Sequence, residues 1–145
     1  MAHLRQLIRD NVVSALTGLP STGTKVYKSR VYPIDNNSLP SLAVYTLSED
    51  SAYLTITPPR TIDRKVSVAV EIYVKAVSGY DDSLDTICSE IEAALYTDAT
   101  RGGYAKDTRV VAFEADFSGN ADQPMMAGRL TIDVHYTSVE GSPEG

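Results

Sequence analysis

The sequence predicts an α+β fold: two helices packed on one face of a four- to five-stranded, mainly antiparallel or mixed sheet, in one domain. Three observations carry that expectation. Residues 64–76, RKVSVAVEIYVKA, place Val66, Val68, Val70, Ile72 and Val74 at alternate positions, with Lys65, Ser67, Glu71, Tyr73 and Lys75 between them. Side chains alternate across a strand with period two, so this is a half-buried strand with a branched apolar face. Two segments, 3–17 and 81–95, each gather apolar residues into one stripe at helical spacing. The order helix, two strands, a long excursion, strand, helix, two strands then gives both stripes a single sheet face to cover. The far face, with Glu71 and Tyr73, is expected to be open to solvent or neighbouring subunits, so charge reversal at Glu71 should impair assembly more than folding.

Each element has its own signals. In 3–17, Leu4, Leu7, Ile8, Val12, Ala15 and Leu16 form the apolar face. Val13 is expected to point outward and Asn11 inward, with Gly18 as C-cap and Pro20 as stop. Residues 24–32, TKVYKSRVY, are rich in β-branched and aromatic side chains but alternate poorly, which fits a strand at an edge or one that bears on a partner. Pro33 and the run Asp35 to Ser38 supply turn chemistry before a strand at 42–47. Residues 48–62, SEDSAYLTITPPRTI, are long for a connection, and read either as a partner-binding excursion or as a hairpin with a loose tip.

In 81–95, Leu84, Ile87, Cys88, Ile91, Ala94 and Leu95 share a face, and Asp81 and Asp82 stand where an N-cap belongs, opposing the positive end of the helix. Gly102 and Gly103 mark a flexible connection. The last two strands, 108–117 and 129–138, present Val111, Phe113, Ala115 and Phe117, and Leu130, Ile132, Val134 and Tyr136; Met125 and Met126 form an apolar tip between them. The domain is expected over 1–139, followed by a flexible tail at 140–145.

Composition narrows the function classes. The net charge of -6 argues against a general nucleic-acid binder, because phosphate neutralisation needs a basic face. The charge is uneven: Arg5, Arg9, Lys25, Lys28 and Arg30 make the start basic, whereas 81–98 holds six acidic residues and no basic one. Opposite-sign faces of that kind can meet between copies in a ring, or simply be solvated. One cysteine, Cys88, excludes a disulfide framework and a cysteine-rich zinc site. The N-terminus lacks a signal-peptide core and no apolar run approaches a bilayer span, so no membrane association is expected.

No catalytic signature emerges. Asp133 and His135 share a strand face and begin a general-base pair, yet no nucleophile can be attached to them, and the polar side of a half-buried strand explains both. Asp81, Asp82 and Asp85 are explained by helix capping and solvation before metal binding, Gly102 and Gly103 lack the phosphate-loop lysine, and Cys88 lies on an apolar helix face. No catalytic, cofactor or metal residue is therefore assigned. Arg30, Tyr32, Tyr53, Arg60, Arg64, Glu71 and Tyr73 are the candidate interface residues, since tyrosine and arginine are enriched where proteins meet; ordinary strand tyrosines and surface charge are the plain alternative.

The ordered segments VYKSRVYPID, LPSLAVYTLSEDS, PPRTIDRKVSVAVEIYV, DDSLDTICSEIEAAL, DATRGG and RLTIDVHYTS resemble the tail terminator family of long-tailed phages, the minor tail protein U type, over about residues 5–137. The resemblance implies a subunit that forms a homo-oligomer, a hexameric ring, which caps the head-proximal end of the tail tube and stops polymerisation. It further implies tail tube protein and a head–tail connector or head-completion protein as partners, DNA passing through the lumen without specific binding, no cofactor and no reaction. Such a protein is made in the host cytoplasm and ends in the virion, at the tail or neck. The competing expectations are another neck component and, in a different class, a small enzyme using Asp133 and His135.

Overall fold

Every member of the predicted valine row is buried: Val66, Val68, Val70 and Ile72 are at most 1% exposed and Val74 4%. The computed structural model describes residues 3–28, 40–75, 80–119 and 124–142. The elements run α1 (Leu4–Leu16), β1 (Val26–Tyr27), β2 (Ser41–Tyr53), β3 (Thr61–Lys75), α2 (Tyr80–Tyr96), β4 (Asp107–Gly119) and β5 (Pro124–Val139). They form one five-stranded sheet in the order β1-β2-β3-β5-β4, with β1 parallel to β2 and every other pair antiparallel. Both helices lie on the face that carries the valine row, where Ile8, Val12 and Leu16 of α1 and Leu84, Ile87 and Ile91 of α2 join Leu42, Val44, Leu130, Ile132 and Val134 in one core. A buried aliphatic side chain contributes about 1.5–3 kcal/mol, so this single core is the main source of stability.

Several elements differ from expectation for identifiable reasons. Val13 is buried, not exposed, because α1 packs against α2 as well as the sheet and its buried arc widens accordingly. His3 caps α1, its Nδ1 accepting from Arg5 N at 3.0 Å. Gly18 follows the helix with φ 95°, as a C-terminal glycine should, and its N–H donates to Gly23 O at 2.8 Å. Asp81 and Asp82 lie in the first turn of α2 rather than before it, and still oppose the helix dipole there. Of the predicted strand at 24–32 only Val26–Tyr27 is a strand among the described residues, and it is an edge strand as anticipated. Met125 and Met126 stand within β5 and pair with Lys75 and Val74, instead of forming a loop tip.

The Gly102–Gly103 connection is a fixed turn, not a flexible one. Arg101 is fully buried at φ 52°, and its guanidinium donates to the carbonyl of Leu95 at 2.7 Å and to that of Asp98, closing the C-terminal end of α2. The Asp98 carboxylate accepts from Thr100 Oγ1 at 2.6 Å, Thr100 N at 3.0 Å and Gly102 N at 2.8 Å.

The excursion at 48–62 is mostly strand. β2 continues through Tyr53 and pairs with β3 from Thr61, so the segment is a hairpin whose connecting tip is only residues 54–60. β2 carries an extra residue, Leu47, just after the Thr46–Val68 pair; β4 carries one, Val111, just after the Val110–Ile132 pair. Val68 pairs with Ile132, so the two bulges flank a single rung of the sheet, Thr46–Val68–Ile132–Val110. A bulge bends its strand and increases the local twist.

Ile91 is fully buried at the centre of the α2–β3 contact. Ile91→Asp is expected to cost more than about 4 kcal/mol, a large part of a domain's total of about 5–15 kcal/mol, by removing apolar burial and stranding a carboxylate. A thermal melt followed by near-ultraviolet circular dichroism checks this: a cooperative transition close to that of the parent protein would contradict the packing.

Candidate functional site

Two carboxylates organise the two faces of the sheet. On the helix side, the bulge at Leu47 leaves Glu49 opposite Val66, facing α1. Glu49 accepts from Arg5 Nη1 at 2.8 Å, from Arg64 Nη1 at 3.2 Å and from the Tyr136 hydroxyl. Arg64 also donates from Nε to Ser138 Oγ at 2.9 Å. This cluster seals the end of the core where α1 begins. Burial, then the hydrogen bond to Glu49, pushes the Tyr136 hydroxyl above the ordinary tyrosine pKa.

On the far face, Glu71 is 6% exposed and Tyr73 1%. Glu71 accepts from the hydroxyls of Tyr45 and Tyr73 and from Arg129 Nη2 at 3.1 Å, its cross-strand neighbour. Tyr73 packs with Ala43 and Ala127 in a small second core. The expectation of an open far face therefore fails at its centre: alternation marks Glu71 and Tyr73 as outward-pointing, but the long tyrosine and arginine side chains lie back over the strand. Substitution of Glu71 acts on the subunit's own fold.

The exposed chemistry lies elsewhere. Beyond the helices, the β2–β3 hairpin forms an arm whose tip displays Tyr53 at 61% exposure, Leu54 at 56% and Ile56 at 92%. The Arg60 guanidinium stands 5.7 Å from the centre of the Tyr53 ring, donates from Nε to Ile56 O at 3.2 Å and pairs through Nη1 with Glu140 at 2.9 Å. Glu140, where a flexible tail was expected to begin, is thus tied to the arm, and Ser142 bridges back to Val139; residues 143–145 lie outside the described residues. At the opposite side of the sheet, β4 pairs only with β5 among the described residues, and Val110, Val111 and Phe113 are 39%, 51% and 42% exposed. The bulge at Val111 breaks the predicted alternation of this strand: Val110 stands opposite Ile132 and Phe113 opposite Leu130.

Of the seven candidate interface residues, the structure brings Tyr53 and Arg60 together at the arm tip, turns Arg64 inward to Glu49 and buries Glu71 and Tyr73; Arg30 and Tyr32 lie outside the described residues. Sequence reasoning missed Ile56 and Leu54. Their signal was present, since an apolar side chain between threonines just before a proline pair has no core face to join. It also missed Glu49, whose inward facing depends on the bulge.

The Asp133 carboxylate accepts from Ser67 Oγ at 2.7 Å, and His135 stands across from Lys65 of β3 and Asp107 of β4. Among the described residues no cluster of three His, Cys, Asp or Glu side chains could hold a metal ion. Burial, with the nearby charges of Glu92 and Asp85, pushes the Cys88 thiol up to about 11, which keeps it protonated. No helix among the described residues is long and apolar enough to cross a membrane.

No family model and no curated protein matches this chain. Among solved structures it is similar to a chain of the virion of a native gene transfer agent particle, at 15% identity and a TM-score of 0.42, covering 94% of this chain and 93% of that one.

For Glu71, burial raises the carboxyl pKa, but the hydrogen bonds from Tyr45, Tyr73 and Arg129, with the Arg129 charge, outweigh it and hold the value below the ordinary 4.5. A lowered folded-state pKa stabilises the fold fully above the unfolded value, and that contribution is lost as the pH falls through the folded value. Glu71→Gln is therefore expected to lower the melting temperature at pH 7 and to flatten its decline below pH 4.5. Melts from pH 7 to pH 3 check this; parallel curves for the two proteins would count against it.

Proposed function

We propose that this chain is a tail terminator: a non-enzymatic, ring-forming structural protein that caps the head-proximal end of a phage tail tube, stops its polymerisation and offers the surface that joins tail to head. The observation that carries the reading is the ordered set of segments resembling that family across residues 5–137. The geometry supports an assembling subunit in two ways. An arm extends past the helix-covered core and ends in exposed Tyr53, Leu54 and Ile56, and β4, a long edge strand among the described residues, carries the exposed Val111 and Phe113. Exposed apolar side chains clustered on projecting structure mark places where proteins meet, and an unpaired edge is a template for another chain.

On this reading the subunit forms a hexameric ring between tail tube protein and a head-completion protein, with DNA passing through the lumen. The net charge of -6 suits that passage, since an acidic lumen does not hold phosphate. Termination requires two unlike ring surfaces, one complementary to the last tube ring and one that refuses another tube subunit. The arm, with its apolar tip, is a candidate for the first. Limited proteolysis of free and assembled protein is expected to cut at residues 54–60 in the free subunit and to be suppressed there on assembly.

Particles made without this protein are expected to show overlong or headless tails by electron microscopy. Tails of normal length joined to heads would refute the reading. A His135→Ala protein is expected to yield infectious particles at the parent level, whereas loss of infectivity with intact particles would favour the enzymatic alternative.

A further inference from the structure

The segment that follows β5 is fastened to the arm. β5 pairs with β3 as far as Val139 opposite Thr61, and the ladder runs one step further, because Glu140 N donates to Arg60 O at 2.7 Å. Gly141, at φ 83°, then turns the backbone, and Ser142 N donates back to Val139 O at 2.8 Å. Glu140 is thereby held at the foot of the arm tip, with its carboxylate against Arg60.

Arg60 is the one charged residue within 51–62, and three groups share it. Its Nη1 donates to both Glu140 carboxylate oxygens, at 2.9 and 3.3 Å, its Nε donates to Ile56 O at 3.2 Å, and the guanidinium stands 5.7 Å from the centre of the Tyr53 ring. A guanidinium is a rigid planar fork, so fixing Nη1 also fixes the direction of Nε. The carbonyl that Nε holds belongs to Ile56, whose side chain is 92% exposed. The other bonds across the tip, Leu54 N to Thr61 O at 2.8 Å and Thr61 N to Thr55 Oγ1 at 2.9 Å, lie nearer its base. The apex is braced by Arg60, and Arg60 by Glu140.

We infer that Glu140 is a positioning residue for the arm: the segment after β5 splints the tip, and Arg60 passes that hold to Ile56, so the apolar tip is presented in one arrangement rather than many. An exposed ion pair alone adds little, because two long side chains lose rotamer freedom to form it. Here that loss is smaller, since the two backbones are already joined and the guanidinium also rests on a ring and a carbonyl. A surface ordered in advance meets a partner at lower entropic cost. The pair is 39% and 31% exposed, which leaves it open to screening by salt and makes the order of the tip adjustable. The device belongs to the free chain and is independent of what the arm meets, so it stands or falls separately from tail termination.

Amide hydrogen exchange followed by NMR tests it on the parent, Glu140→Gln and Arg60→Lys. In Glu140→Gln, protection at Leu54 and Thr61 is expected to fall by about twofold to fivefold, the range an exposed ion pair supports. Val70 and Ile72 are expected to keep the parent's protection, and the melting temperature to stay within about 2 °C. Arg60→Lys is expected to lose as much at the tip, because an ammonium keeps the charge but not the fork that reaches Ile56 O and Glu140 together. Raising salt to about 1 M is expected to lower tip protection in the parent and to leave Glu140→Gln unchanged. Unchanged tip protection in Glu140→Gln, or full protection in Arg60→Lys, would overturn the inference. So would a loss that reaches Val70 and Ile72 equally, which would make Glu140 a support of the whole fold. A parent chain whose tip is equally protected at low and high salt would overturn it without any variant.

Discussion

The five branched side chains from Val66 to Val74 can be buried together only while β3 keeps its register with β2 and β5. A slip of one residue would turn the whole row away from the helices and put Ser67, Glu71 and Tyr73 beneath them. Both faces of the strand resist that slip. On one side the valines are packed by α1 and α2; on the other Glu71 is held by Tyr45 from β2, by Tyr73 from its own strand and by Arg129 from β5. The carboxylate thus reads the register of three strands at once, and a misaligned strand would leave it buried without those donors. Glu49 does the same between α1, β3 and β5, gathering Arg5, Arg64 and Tyr136.

How much of this was legible follows from what each residue depends on. The valine row and the stripe of α2 were readable because burial there follows strict periodicity, and the last strand from Leu130 to Tyr136 was readable for the same reason. Val13 was not, because its burial depends on a neighbouring helix rather than on the sheet that a single stripe predicts. Glu71 and Tyr73 were misplaced because alternation says which way a side chain leaves the backbone, not whether its neighbours fold back over it. Arg101 was hidden behind Gly102 and Gly103: the glycines signalled freedom, while the buried guanidinium caps carbonyls and removes it.

The candidate surfaces follow a similar division. Tyr53 and Arg60 were identified because tyrosine and arginine favour interfaces, and they stand together at the arm tip. Arg64 has the same chemistry but a different fate, since its position on the helix face of β3 aims it at Glu49 and Ser138. Residue type alone does not separate the two. Position along the strand does: Arg60 lies past the end of the helix layer, and Arg64 lies under it.

The paired bulges at Leu47 and Val111 give the sheet a crease. They lie on either side of one rung, in strands flanking β3 and β5, and both extra residues are exposed. Buried core side chains lie on both sides of it, Val66, Val134 and Tyr136 toward the hairpin and Val70, Ile72 and Leu130 away from it. The course of β2 into the arm is accordingly shaped at Leu47, by one surplus residue, rather than by the side chains at the tip. The tip can change its chemistry while β2 keeps its course, whereas removing Leu47 would straighten that strand with every tip residue unchanged.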